Sequence, residues 1–441
     1  MTSPSGIEHH TVIIVGGGPA GLALTAVLGG WHPWFRSSEI FRMRYAQLEG
    51  YLQQGNGSLL ELDFQTLSQA GVPPVDLFRL LHHPSQQFYE LDQIAMEFRQ
   101  AEPIDYLLIS QEEVGGLWNN VAQNMFTLSP GQWMEFAYYP LAQHVHETCN
   151  ELDVNDLIIK QDLIDYYHRI PTRFEQEDRI HIGEKVIRIE PHEAGFLITT
   201  RNATTGEDEK RYTCKYLVYA VGQRCILRKL GVPGEDSSFV SKSYDKPEDY
   251  PGERVLVVGG GRTADWAATE LHDAGKHVTY VMRQTFDHHW LLISDSRHGL
   301  PYYARISEII EGRSPRFRTL YETHVQKFEE SQDGGLVTVA AHGEEEVIET
   351  EHVIMEIGGS ADYSLFKGFP PIPLVEKYDR YRFQVRQVPT HPHSYESDAI
   401  PNMYPGGYLA QGLGLVVIAM HGTTYAIAAD ILKKEGKLRD T

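Results

Sequence analysis

Cysteine is scarce: the 441-residue chain holds three, Cys149, Cys214 and Cys225, far apart in sequence. Such spacing offers no disulfide framework and suits a reducing, cytosolic compartment. No CxxC or CxxxxC occurs, which excludes the dithiol relay that disulfide reductases with paired nucleotide domains need. Positive charge is also short, with 39 Lys+Arg against 60 Asp+Glu and a formal net charge of −21. That balance argues against nucleic acid and anionic membranes as partners. HExxH and GxSxG are missing, so zinc-protease and serine-hydrolase patterns have no anchor. Low-complexity tracts are absent, and only residues 11–35 are long and nearly free of charge. Their triple glycine and Pro19 read as a β-turn-α unit rather than a membrane span or signal peptide. The length leaves room for two or three domains.

Glycine, by contrast, is plentiful, with 39 residues. Gly16-Gly17-Gly18-Pro19-Ala20-Gly21 follows the apolar run 11–15, and Gly259-Gly260-Gly261-Arg262-Thr263-Ala264 follows the run 254–258. Each run reads as a strand, and each fingerprint opens a helical stretch, 22–28 and 265–271. Strand, glycine turn and helix together make a dinucleotide site. The first glycine makes the turn, the second lets backbone approach a pyrophosphate, and the third (or a small Ala) lets helix and strand pack closely. The pyrophosphate then rests on unpaired N–H groups of the helix N-terminus. Gly16, Gly18, Pro19, Ala20 and Gly21 are therefore candidate contacts to one dinucleotide. Gly259, Gly261, Arg262, Thr263 and Ala264 are candidates for another. Two dinucleotides on one chain suggest hydride passing from a nicotinamide to a flavin.

The expected fold is α/β, with two Rossmann-like dinucleotide-binding domains, one inserted into the other. The first segment covers 1–243 and carries an insertion over about 31–104, after which Tyr106-Leu107-Leu108-Ile109 is the next good strand. The inserted domain covers 244–385, and 386–441 returns to complete the first. An insertion of that size is more often a lid or binding surface than a passive loop. The strands 217–220 and 352–355 each end in glycine, at Gly222 and Gly358, where backbone would pass close to a bound cofactor. The return segment carries Gly407-Tyr408-Leu409-Ala410-Gln411-Gly412, with Gly412 as its cofactor contact, and a closing helix over about 423–433.

Arg283 ends the second strand of the inserted domain, where a cation accommodates an adenosine 2′-phosphate and an acid would select NAD. NADPH is expected there, with Arg262 as a reinforcing charge. In the first domain the corresponding strand ends Ile109-Ser110-Gln111, so neutral Ser110 or Gln111 must serve the ribose, or Glu112 must reach back. His288, His289 and His298 follow Arg283 without a partner at metal-ligand spacing, so no metal site is expected. They read as surface residues or as a loop near substrate. His421, beside the C-terminal piece, reads as a lone histidine that could face the flavin.

Several segments resemble the two-dinucleotide flavin-dependent monooxygenases. These are Gly16 to Leu28 with Gly30-Trp31-His32-Pro33, Gly115-Gly116-Leu117-Trp118-Asn119, residues 125–135, Pro233-Gly234-Glu235-Asp236 and the Gly259 unit. More closely, the chain resembles the oxidative stress-induced growth inhibitor family and its microbial relatives. The resemblance implies FAD in the larger domain, NADPH in the inserted one, and a reduced flavin that draws oxygen from O2. It places Gly116, Trp118, Asn119, Ser129, Gln132 and Trp133 in loops facing flavin and nicotinamide. The family's linker histidine aligns with Lys242. Gln132, Asn119 and Lys242 are thus the candidate catalytic residues.

The function this implies is an FAD- and NADPH-dependent monooxygenase inserting one oxygen atom from O2 into a small organic substrate. N-hydroxylation of an amine or amino acid is favoured over Baeyer–Villiger chemistry because Lys242 replaces the linker histidine. The alternatives are an NADPH oxidoreductase or oxidase without oxygen insertion, and a flavin-bound regulatory protein. The expected partners are small-molecule substrate and O2, and homo-oligomerisation stays open.

Overall fold

The computed structural model describes residues 7–55, 57–89, 92–413 and 417–438, the last stretch with side chains from residue 422 onward. The strand Glu8–Val15 lies between two parallel partners, Tyr106–Ile109 and Lys210–Tyr219. Val12 and Ile14 enter one hydrophobic core and Ile13 and Val15 another, on the opposite face. This double burial is why the run is continuously apolar rather than alternating. Ile180–His181 extends the sheet beyond Tyr106–Ile109. On the other side the antiparallel pair Gly195–Asn202 and Glu184–His192 widens it. Met403–Pro405, from the end of the chain, pairs parallel with Lys210–Tyr219.

A second, all-parallel sheet runs in the order Val240–Ser241, His352–Glu356, Arg254–Gly259, His277–Val281, Phe317–Leu320. Its central strand repeats the first pattern: Val255 and Val257 face one core, Leu256 and Val258 the other. Both fingerprint helices begin earlier than apolar periodicity suggests, at Pro19 and Arg262, because Gly18 and Gly261 themselves serve as N-caps. An antiparallel three-stranded unit, His324–Ser331, Gly334–Ala341 and Glu344–Thr350, lies in the connection between Phe317–Leu320 and His352–Glu356.

Between Leu28 and Tyr106 the chain forms the antiparallel pair Trp31–Phe35 and Met96–Gln100, with four short helices between them. Pro33 in the first of these strands obscures it in sequence. The fourth helix, Pro74–His82, packs along the closing helix Val417–Lys434, which in turn covers the first fingerprint helix. Phe78 stacks with Tyr425 at 4.2 Å between ring centroids. No helix among the described residues is long and apolar enough to cross a membrane.

The two connections between the sheets pair with each other, Ile226–Leu227 antiparallel to Gly359–Ser360. Beside them Arg224 Nη2 donates to Glu356 at 3.0 Å, and Glu356 also accepts the Tyr244 N–H at 2.8 Å. A second tie runs from residues 118–126, whose Val121, Ala122 and Met125 enter the core of the second unit. There Asn124 donates to Glu270 at 2.6 Å, and Phe126 meets Trp266 edge-on.

Glu356 is 3% exposed and Arg224 15%, so removing the carboxylate strands a largely buried guanidinium. Glu356→Ala is expected to destabilise the protein by about 3 kcal/mol in denaturant titration. The Arg224→Met/Glu356→Leu pair should cost clearly less.

Candidate functional site

The first fingerprint is a place where three backbone segments come within contact distance. Gly16 N donates to Ile109 O at 2.9 Å, Ala220 N to Val15 O at 2.8 Å, and Gly115 N to Gly17 O at 2.8 Å. Gly16 has φ +114°, and a Cβ there would stand 2.5 Å from Ala220 O. Gly116 has φ +59°, and a Cβ there would stand 2.7 Å from Gly18 Cα. The strand ends and glycine turns thus form one cradle in front of the helix Pro19–Leu28. That helix has no side-chain cap and no acidic residue in its first turn. Positive end charge and free backbone donors make it fit for an anionic pyrophosphate. FAD fits this cradle.

The surrounding side chains differ from a usual ribose site. Ser110 is buried beside Gly17, whereas Gln111 is exposed. Glu112 accepts from Asn120 Nδ2 at 2.6 Å, so its carboxylate already braces its own loop. Asn119 turns inward too, its Nδ2 donating to Glu113 O at 2.7 Å and to Val114 O. Its part runs through the Gly115–Gly116 turn that it holds. Trp118 packs against both the first and second cores at the seam between them.

Ser129, Gln132 and Trp133 lie together on the segment after Phe126. Ser129 Oγ reaches Met134 Sδ at 3.5 Å. Gln132 Nε2 donates to Asn155 Oδ1 at 3.1 Å and Phe88 O at 3.3 Å, tying the segment to the 31–104 insertion. Trp133 stacks on His83 at 4.0 Å and 9°, and His83 stacks on His82 at 4.2 Å. Phe88 covers Trp133 from the insertion side. Both His83 ring nitrogens and Trp133 Nε1 are buried without a hydrogen-bond partner. Burial holds the His83 imidazole below its ordinary pKa. His82 Nε2 lies 3.1 Å from Glu135 Oε1, while Glu135 Oε2 accepts the Leu141 N–H at 2.7 Å. Burial pushes the Glu135 carboxyl up to about 8. Sequence reasoning missed His82, His83 and Asp92, the carboxylate 3.6 Å from His83 Nδ1. Their only signal was an adjacent His-His pair inside the insertion.

At the second fingerprint, a Cβ on Gly259 would stand 2.5 Å from Glu356 O and 2.6 Å from Ala264 Cβ, so the small residues close the helix onto its strand. Thr263 is half-buried in the first turn. Arg262 turns into the protein, donating to Ser296 Oγ at 3.3 Å with Tyr303 and Tyr381 rings 5.4 and 5.9 Å away. It therefore ties elements together there rather than standing beside Arg283. Arg283 is exposed and lines a cavity of about 360 Å³. Gln284 Oε1 is buried without a hydrogen-bond partner next to Gly260, a polar atom left for a bound group. The tip 379–383, in the hairpin Val375–Tyr378/Gln384–Gln387, lays Phe383 against Gly261 and so stands between solvent and this turn.

His289 corrects the surface reading. Thr285 caps a helix Phe286–Ser296, which turns His289 fully inward. Its Nε2 lies 2.7 Å from Asp265 Oδ1, and Asp265 also accepts from Tyr280 Oη at 2.7 Å and Tyr303 Oη at 3.0 Å. This buried network fixes the fingerprint helix to its neighbours. His298 is exposed. No group of three or more His, Cys, Asp or Glu placed to hold a metal occurs among the described residues.

The remaining candidates are spread more widely. Gly222 and Gly358 have φ +68° and +79°, with open space where a side chain would lie. Gly412 N donates to Gln387 Oε1 at 3.2 Å. Lys242 pairs with Asp236, a carboxylate at the surface. The side chain of His421 lies outside the described residues.

Residues 93–404 match the pyridine nucleotide-disulphide oxidoreductase family. Over 471 aligned residues the chain is 23% identical to oxidative stress-induced growth inhibitor 1 of Mus musculus, covering 98% of this chain and 97% of that one. Two solved structures share the fold. Bacillithiol disulfide reductase of Bacillus cereus gives a TM-score of 0.65 at 18% identity, over 97% of this chain and 100% of that one. Ornithine hydroxylase of Pseudomonas aeruginosa gives 0.60 at 15% identity, over 96% and 99%.

Two outcomes follow from the cradle and the buried pair. Gly116→Val should fold, by circular dichroism, yet purify without the yellow of bound FAD. Between the ordinary carboxylate value and about 8, the folded chain holds a Glu135 proton that the unfolded chain has released. Stability should therefore fall as pH rises through that window, by at most about 1.4 kcal/mol per pH unit. Glu135→Gln should flatten this slope in denaturation measured from pH 5 to 8.

Proposed function

The chain belongs to the pyridine nucleotide-disulphide oxidoreductase family and is an FAD- and NADPH-dependent flavoprotein oxidoreductase, and from that premise we propose that it is a monooxygenase. It inserts one oxygen atom from O2 into a small organic substrate, with N-hydroxylation of an amine or amino acid favoured. FAD is assigned to 1–243 with 386–441, and NADPH to 244–385. The bound cofactors supply hydride transfer and oxygen activation, and the chain's residues bind, orient and exclude water. Gly16, Gly18, Pro19, Ala20, Gly21 and Gly116 hold the flavin dinucleotide by backbone. Asn119 and Gln132 hold the loops that face it.

The observation that carries this reading is the fate of the three thiols. Cys214 is fully buried with its pKa raised by burial, Cys225 is half-buried and likewise raised, and Cys149 is exposed on its own. A flavin reduced in this chain has no dithiol of the same chain to reduce, which supports an external acceptor such as O2. Ornithine hydroxylase, which shares the fold, is named for the hydroxylation of an amino acid. The same free thiols support a cytosolic setting.

A second reading is NADPH oxidation without oxygen insertion. The engagement of the Asn119 and Gln132 amides in loop contacts favours it. Incubation with NADPH, ¹⁸O2 and a panel of amines and amino acids separates the two. Label in a hydroxylated product supports the monooxygenase. Hydrogen peroxide equal to the NADPH consumed, with every substrate, assigns the second reading. Arg283→Ala should raise KM for NADPH by at least about tenfold and leave KM for NADH nearly unchanged, since a hydrogen bond between charged groups contributes about 1.5–3 kcal/mol.

A further inference from the structure

Arg283 is not alone in its cavity. The space of about 360 Å³ is lined also by Glu322, His324, Gln326 and His342, and by the backbone around Ala340 and Gly343. It falls within the size range of small-ligand pockets, about 300–1,000 Å³. Its place in the fold is informative. Arg283 follows the second strand of the nucleotide unit and Glu322 follows the third, at the carboxyl ends where such sheets bind ligands. The two loops are zipped together, Glu322 N donating to Gln284 O and Thr323 N to Met282 O, both at 3.0 Å. His324 then starts the three-stranded unit directly opposite Ala340. The turn that follows has positive φ at both central residues, +52° at His342 and +88° at Gly343. This two-residue turn puts His342 on the same lining as Arg283, with its side chain 74% exposed.

The electrostatics point to an anion. Arg283 has no ion-pair or hydrogen-bond partner among the described residues, in a chain of net charge −21. Arg228 and Arg386 contribute to the same field. Burial first, and then Arg386 and Arg283, hold Arg228 below its ordinary pKa. Glu322 is the one carboxylate in the lining, and it lies 4.0 Å from His342 Nε2.

We propose that this cavity seats the 2′-phosphorylated adenosine ribose of NADPH, and that His324 and His342 are its phosphate ligands together with Arg283. The two histidines come from the antiparallel three-stranded unit beside the parallel sheet and supplement Arg283, whereas Arg262 is turned toward Ser296. The proposal rests on the assignment of NADPH to the second fingerprint.

The test is calorimetric titration of the FAD-loaded protein with adenosine 2′,5′-bisphosphate and, separately, with ADP. Wild type should bind the 2′-phosphorylated probe at least tenfold more tightly. His324→Ala/His342→Ala should lose most of that preference while its affinity for ADP stays within about twofold. His342→Lys, which fixes a positive charge at the turn, should keep or increase the preference. Wild type that binds both probes equally overturns the NADPH assignment itself. A preference that survives in the double variant, or an equal loss for both probes, overturns the role of the histidines alone.

Discussion

The close approach of Gly16 to the Ala220 carbonyl is the constraint on which the first half of the molecule depends. A parallel sheet brings the carboxyl ends of its strands to one edge, and the chain must turn there without a side chain in the way. With φ +114° and no room for a Cβ, only glycine serves. That contact sets where the fingerprint helix begins, and so where its unpaired N–H groups point. Gly116 repeats the argument from the opposite wall. The cradle is built from backbone rather than from charged side chains, and the neutral Ser110-Gln111 stands beside it.

The second half has the same plan, but its coupling to the first is carried by side chains. Arg224, Glu356 and the Tyr244 N–H form a buried polar joint beside the paired connections. Residues 118–126 reach across to lend Val121, Ala122 and Met125 to the other core. A joint held by one buried ion pair and one apolar patch fixes the angle between two nucleotide sites without merging their cores. Trp118 stands at that seam and packs against both cores.

Each unit also buries charge. Asp265 is satisfied three times over, by His289, Tyr280 and Tyr303, and sits in the first turn of the second fingerprint helix. Glu135 lies against His82 and accepts one backbone N–H, and burial pushes its carboxyl up to about 8. Next to Glu135, the His83 and Trp133 stack keeps unpaired nitrogens in the interior, an arrangement that buried polar groups rarely keep unless a ligand completes it.

The glycine turns, their strands and helices, the insertion and the absence of a dithiol were all legible in the chain, because they rest on local rules. Strand periodicity, the conformational freedom of glycine and cysteine spacing act over a few residues. What could not be read was which side chains meet. Arg262, a candidate cofactor contact, meets Ser296 and two tyrosine rings. His289 looked like surface and is the partner of Asp265. His82 and His83 offered only an adjacent pair, and they reach Glu135 and Trp133 through helix packing. These outcomes depend on contacts between residues 24 to 53 positions apart. The sequence by itself determined the two nucleotide-binding units and the chemistry they exclude. Only the tertiary structure decided which polar groups share a buried site, since burial and pairing are properties of the packed interior.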